Sequence, residues 1–143
     1  MDELSLYKHK INIKVRFSDL DAIKHVNNAT FLTFLEESRF AYFGSLLKRN
    51  VHDLNFEAII ARIEIDYKHQ ICLGDKIAVY TRCSRLGKKS GNIENIIVIE
   101  KGIGNKIAAV ALSKLVSFDY KRGVSVPIPD DVRKAIVEFE ELQ

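Results

Sequence analysis

Two aspartates, a histidine and two asparagines stand close together just ahead of an apolar run, in the stretch DLDAIKHVNNATFLTFLEESR from residue 19 to residue 39. A carboxylate such as that of Asp21 can act as a base on water or as a nucleophile on an electrophilic carbon. The apolar run reads as a helix. The N-terminus of a helix offers free backbone N–H groups and the positive end of a dipole, both stabilising for an oxyanion. A carboxylate facing such a helix entry is therefore equipped to attack a carbonyl. Each residue also has a plainer role. Asp21 can be a turn or capping residue, Asp19 can bond loop amides and Asn27 or Asn28 can cap the helix. His25 can orient Asp21, meet a substrate, or be a loop histidine whose needs are met locally.

The elements that would position these groups follow from periodicity. Residues 10–17, KINIKVRF, alternate, with Ile11, Ile13, Val15 and Phe17 on one face, as expected of a half-buried strand. The helix is expected from about Ala29 to Lys48. Phe31, Leu32, Phe34, Leu35, Phe40, Tyr42, Phe43, Leu46 and Leu47 cover more than one stripe of it. A helix apolar on most of its surface is expected to be buried on most of it, and one flat sheet covers only one face. Glu36 and Arg39 are placed at i, i+3 for an ion pair.

Further on, Ala61, Ile63, Ile65 and Tyr67 alternate with charged residues, Gly74-Asp75 marks a turn, and Ile77, Val79, Thr81 and Cys83 form a third strand. Residues 90–100 and 106–118 read as a hairpin around Gly102 and Gly104-Asn105. Their weaker alternation fits central strands covered on both faces. Pro127 and Pro129 end the sheet, and Asp130 is expected to cap a short amphipathic helix carrying Val132, Ala135, Ile136, Phe139 and Leu142. A strand, a long helix, four strands and a short helix make an α+β domain with an antiparallel five-stranded sheet curved around the helix.

The 143 residues fit one domain, 1–143, with one core. With 47% hydrophobic and 29% charged residues the chain is expected to be a soluble globular protein. Its apolar runs are too short for a bilayer. The start MDELSLYKHK lacks the order of a secretory signal, so a cytoplasmic protein is expected. A net charge of +3 is too mild for nucleic acid but suits anionic small ligands. Cys72 and Cys83 are expected as reduced core thiols rather than a disulfide. His69 and Cys72 have metal-like spacing with no second pair, so no metal and no other cofactor is expected.

Taken together, D-x-D, then His25-Val26-Asn27-Asn28 leading to an aromatic at Phe31, then Glu36 and Arg39, resemble the hotdog thioesterases of the 4-hydroxybenzoyl-CoA thioesterase class. The segment IDYKHQICLGDKIAVYTRCSRLGKKS and the tail FDYKRGVSVPIP continue the resemblance over nearly the whole chain in one register. One departure is Lys24, where many relatives have glycine before the histidine position. The resemblance implies hydrolysis of an acyl thioester, on CoA or an acyl carrier protein. It implies Asp21 as base or nucleophile, and the amide of Asn28, seven residues on, as the donor that polarises the carbonyl. It further implies that His25 and Asn27 lie at the substrate and that Lys88, Lys89 and Ser90 meet the CoA phosphates, with Arg122 a weaker candidate. The plain alternative for Lys88-Lys89-Ser90 is a solvated hairpin tip. The resemblance also implies a homodimer through the strand after the central helix, about residues 58–68, with homotetramers common among relatives.

Two other functions compete. A non-catalytic acyl-CoA binding or sensor module of the same fold should lack an aspartate at the helix entry, and this chain has one. A hotdog dehydratase would need a histidine with a carboxylate from another segment, a signature not found here.

Overall fold

The alternation of apolar and polar residues places most strands where they are observed. The computed structural model describes residues 2–143. In order, these form β1 (His9–Lys14), α1 (Asn28–Leu47), β2 (Ala58–Tyr67), β3 (Lys76–Leu86), β4 (Ser90–Glu100), β5 (Lys106–Asp119), the two-residue β6 (Val124–Ser125) and α2 (Asp130–Glu140). The five long strands are antiparallel in the order β1-β3-β4-β5-β2, and β6 adds to the end of β5. The expected α+β class and hotdog architecture, a curled sheet around a long helix, are what the chain adopts.

The first strand ends three residues early. Beyond Lys14 the chain leaves the sheet for a 3-10 turn over Phe17–Asp19. Val15 stays buried, but Phe17 is 81% exposed instead of sharing the inner face. The buried carboxylate of Asp19 drives this departure. It accepts from the Arg16 amide at 2.8 Å and from the Arg16 guanidinium at 3.1 Å.

Two apolar clusters hold α1 to the sheet. Phe31, Phe34 and Leu35 pack with Ile13, Val15, Ile77, Val79 and Ile97 under its first half. Tyr42 and Phe43 pack with Cys83, Ile93, Val132 and Ile136 under its second half, where α2 closes the end. Fully burying each such side chain contributes about 1.5–3 kcal/mol. A polar layer separates the clusters: Ser38 and Thr81 share a hydrogen bond of 2.5 Å, and the Asn95 amide donates to Thr81 at 2.8 Å. Gly44 lets the chain return after the helix, since a Cβ there would stand 3.1 Å from the Arg49 carbonyl.

Three expectations are corrected. Pro129, not Asp130, sits at the cap of α2, with no side-chain cap; Asp130 and Asp131 lie in its first turn, where they favour the dipole. Cys72 is an exposed free thiol, and only Cys83 is a core thiol. Within one chain α1 is not buried on most of its surface: Leu32 is 36% and Phe40 46% exposed, because the sheet closes around one side only.

One carboxylate of the short helix reaches into the core. Glu140 accepts from the buried Tyr42 hydroxyl at 2.6 Å and from the Cys83 amide at 3.0 Å. Burial pushes the Tyr42 hydroxyl well above its ordinary pKa, reinforced by Glu140, so it stays a donor. Burial likewise pushes the Cys83 thiol up to about 12. Glu140→Ala is expected to cost about 1–3 kcal/mol. The checks are a lower urea midpoint at unchanged slope and faster amide exchange within residues 130–140.

Candidate active site

The loop before α1 is closed by its own backbone. The Asp21 amide donates to the His25 carbonyl at 2.9 Å, the Asn27 amide to the Asp19 carbonyl at 2.9 Å, and Leu20 bridges Val26. The loop is also sewn to the connection between β2 and β3, through Val26 N–H to the Ile71 carbonyl at 2.8 Å and a bridge between His25 and Cys72. Asp75 braces that connection by accepting from the Cys72 amide at 2.8 Å.

These bonds put Asp21, His25, Asn27 and Asn28 at one end of α1. Asn27 is the cap, its side-chain oxygen accepting from the Ala29 amide at 2.9 Å. The Asn28 amide has no acceptor among the described residues, so a first-turn donor is left for a ligand. Asn28 is held from the other side, where the Tyr67 hydroxyl donates to its carbonyl at 3.0 Å and the Tyr67 ring meets Phe31 edge-on at 5.0 Å. The sequence marks Tyr67 only as the end of a strand; its role requires β2 to run back beside α1.

Asp21 takes the turn role that its sequence context allows. One carboxylate oxygen accepts from the Ile23 amide at 3.0 Å in a turn, and the side chain is half-buried. Asp19 is structural, as its plainer role implied. Burial opposes its charge, but the Arg16 amide and guanidinium outweigh that and hold its carboxyl below the usual carboxylate range. The buried Nδ1 of His25 has no hydrogen-bond partner among the described residues. Lys24, the departure from the family pattern, occupies the left-handed region at φ 67, which explains why glycine suits the position.

Lys88, Lys89 and Ser90 are not brought to this end. They form the tip between β3 and β4, whereas Asp21 lies at the other end of β3, beyond Lys76. The strand between is roughly 30 Å long at 3.3 Å per residue. The tip is fixed to the body by Arg133, which donates to the Gly87 carbonyl at 2.6 Å. Five cavities and grooves on the chain have linings that include none of Asp21, His25, Asn27 or Asn28. Among the described residues no group of three or more His, Cys, Asp or Glu side chains is arranged to hold a metal ion. No helix among them is long and apolar enough to cross a membrane.

Residues 15–136 match the model of a protein family described as the thioesterase-like superfamily. The chain belongs to the thioesterase-like superfamily. Within it, the long-chain acyl-CoA thioesterase FadM of Escherichia coli K12 is 30% identical over 130 residues, covering 89% of this chain and 96% of the relative. A thioesterase of Thermus thermophilus, solved in complex with coenzyme A and zinc, is 32% identical with a TM-score of 0.82, covering 94% of this chain and 96% of that one. The PA5185 protein of Pseudomonas aeruginosa PAO1, at 22% identity, TM-score 0.82 and coverage of 94% and 92%, shares the fold. This superfamily member is thus homologous to an acyl-CoA thioesterase over most of its length, with Asp19 to Asn28 inside the matched region.

Two substitutions test the loop. Asp19→Ala is expected to cost on the order of 1 kcal/mol near neutral pH, by removing a carboxylate that caps a turn. A depressed carboxyl pKa stabilises the fold above the ordinary value of 3.8 and loses that contribution as pH falls through the folded value. The difference between wild type and variant should therefore shrink below pH about 4, as followed by urea titrations across pH. Lys24→Gly relieves a left-handed side chain and is expected to raise stability by up to about 1 kcal/mol, read as the thermal midpoint.

Proposed function

We propose that the chain hydrolyses an acyl thioester, carried on CoA or an acyl carrier protein, to the free acid and the thiol. The observation that carries this reading is the Asp21 loop closed onto the first turn of α1, where the Asn28 amide is unpaired. A thioester carbonyl placed there would set its oxygen against the Asn28 N–H and the helix dipole. Asp21 would take a proton from the attacking water, the negative charge would gather on the carbonyl oxygen, and collapse would expel the thiolate, which takes the proton. The same carboxylate could instead attack directly, giving a mixed anhydride that water then opens. In this reading His25, from the same loop, and Asn27, at the cap, would stand beside the carbonyl position.

Assembly belongs to the same proposal. β2 is an edge strand with one row of backbone groups unpaired. A two-fold pairing of β2 with its copy would turn the partner's strand end at Ala58 toward Tyr67, so that the partner's Lys88, Lys89 and Ser90 approach Asp21. A homodimer, alone or paired into a homotetramer, thereby resolves the separation seen within one chain. Ammonium groups there suit the CoA phosphates. The substrate is soluble, which suits a cytoplasmic enzyme. Support comes from the name of the Escherichia coli relative and from the coenzyme A bound to the Thermus thermophilus protein.

The engagement of one Asp21 oxygen with the Ile23 amide favours a second reading, in which Asp21 is a turn residue of a non-catalytic acyl-CoA binding module. Asp21→Asn separates the two, because asparagine keeps an acceptor for that turn and removes the charge. Thiol release from a panel of acyl-CoAs graded by chain length is expected to fall by about a hundredfold or more in kcat/KM, with acyl-CoA affinity retained. Wild-type protein that binds acyl-CoA without turnover would establish the module instead.

A further inference from the structure

Arg39 is a buried charge with an unmet donor. It is 8% exposed, and its buried Nη1 has no hydrogen-bond partner among the described residues. The expected ion pair with Glu36 does not form within the chain. Burial lowers the Arg39 pKa, and the field of Glu36 offsets this only in part. A buried guanidinium left without a partner is costly, so its partner is to be sought outside the chain. Its side chain lines a cavity of about 290 Å³ shared with Glu36, Glu57, Phe40, Phe43, Ile60 and Tyr120, and neither carboxylate is hydrogen-bonded to its buried Nη1.

The surroundings identify the occupant. Leu32, Phe40, Ile60, Tyr67 and Tyr120 are 36%, 46%, 40%, 46% and 56% exposed, on α1, β2 and the turn after β5. The free edge of β2 runs through the same face. A small anion would satisfy Arg39 but would leave the apolar side chains and the strand edge in water. A second copy of the chain answers all three.

The register says which group meets Arg39. Tyr67, at one end of β2, touches Asn28 and Phe31, while Ala58 and Ile60, at the other end, share the cavity of Arg39 and Phe43. The middle of β2, between Arg62 and Ile63, therefore lies beside α1 near Glu36. A two-fold axis through that point makes each α1 cross its copy close to residues 36–39. In a two-fold contact, if residue i meets residue j then j meets i. Glu36 is exposed, makes no ion pair among the described residues, and faces the same cavity as Arg39.

We propose that, in the dimer put forward above, Arg39 of each subunit pairs with Glu36 of the partner subunit. The pairing rests on the dimer put forward above and specifies what fixes its geometry. It makes two reciprocal charge contacts within an apolar patch.

The test uses the full-length chain and sedimentation velocity over a concentration series. Glu36→Arg sets like charges opposite each other in its own homodimer, and so does Arg39→Glu. Each is expected to raise the dimer dissociation constant by roughly a hundredfold. In an equimolar mixture of the two variants both contacts become complementary, and dimer is expected to return as a heterodimer. Glu36 is exposed, so its replacement should leave the monomer folded by circular dichroism. If Arg39→Glu fails to fold, Arg39→Gln serves instead, with a dimer weakened at least tenfold expected. A wild-type dimer that both variants leave intact, or single-variant losses that mixing does not repair, would overturn the pairing while leaving the dimer. A wild-type monomer at every concentration would overturn the dimer itself.

Discussion

A helix that is apolar around most of its circumference cannot be satisfied by one sheet. That constraint on α1 shapes everything else in this chain. The sheet curls so that β1, β3, β4 and β5 cover one side, and α2 closes the far end through Val132 and Ile136. The remaining side, with Leu32 and Phe40, is left facing outward beside the unpaired edge of β2. The apolar excess that drives folding also leaves apolar side chains exposed on that side of α1.

The polar groups are concentrated where the helix would otherwise carry unsatisfied backbone. At the N-terminus, Asn27 satisfies one first-turn amide, and a loop closed on itself and pinned to Ile71 and Cys72 leaves the Asn28 amide free. A free donor at a helix entry is tolerable only near solvent or a ligand. The same local feature that costs the fold a hydrogen bond thus suits a site for a developing negative charge. Asp19 contributes to this arrangement, since its buried carboxylate, bonded to Arg16, holds the turn by which the chain leaves β1 toward α1. Lys24 holds a left-handed conformation in this loop, a local strain at the very segment that carries the candidate chemistry.

Inside the core, the layer of Ser38, Thr81 and Asn95 divides two apolar clusters and fixes how α1 sits along β3 and β4. Hydroxyls and amides buried in this way favour one register over its neighbours, because a shift would leave them unpaired. That register places Arg39 at the open face and Tyr67 against Asn28, so it links the packing of the core to both ends of the helix.

What the sequence determined alone is what neighbouring residues decide. Alternation marked the strands, the density of apolar residues marked α1, an asparagine cap at residue 27 or 28 was legible, and glycines marked the turn between β4 and β5. The pattern from Asp19 to Asn28 pointed to the family. The tertiary structure decided which strands adjoin, that Phe17 leaves the inner face, that Arg39 is buried away from Glu36, and that Tyr67 reaches Asn28. It also decided that Lys88 to Ser90 lie a full strand length from Asp21. These outcomes depend on contacts between residues far apart in the chain, set by how a curved sheet shares one helix, and no local pattern carries that information.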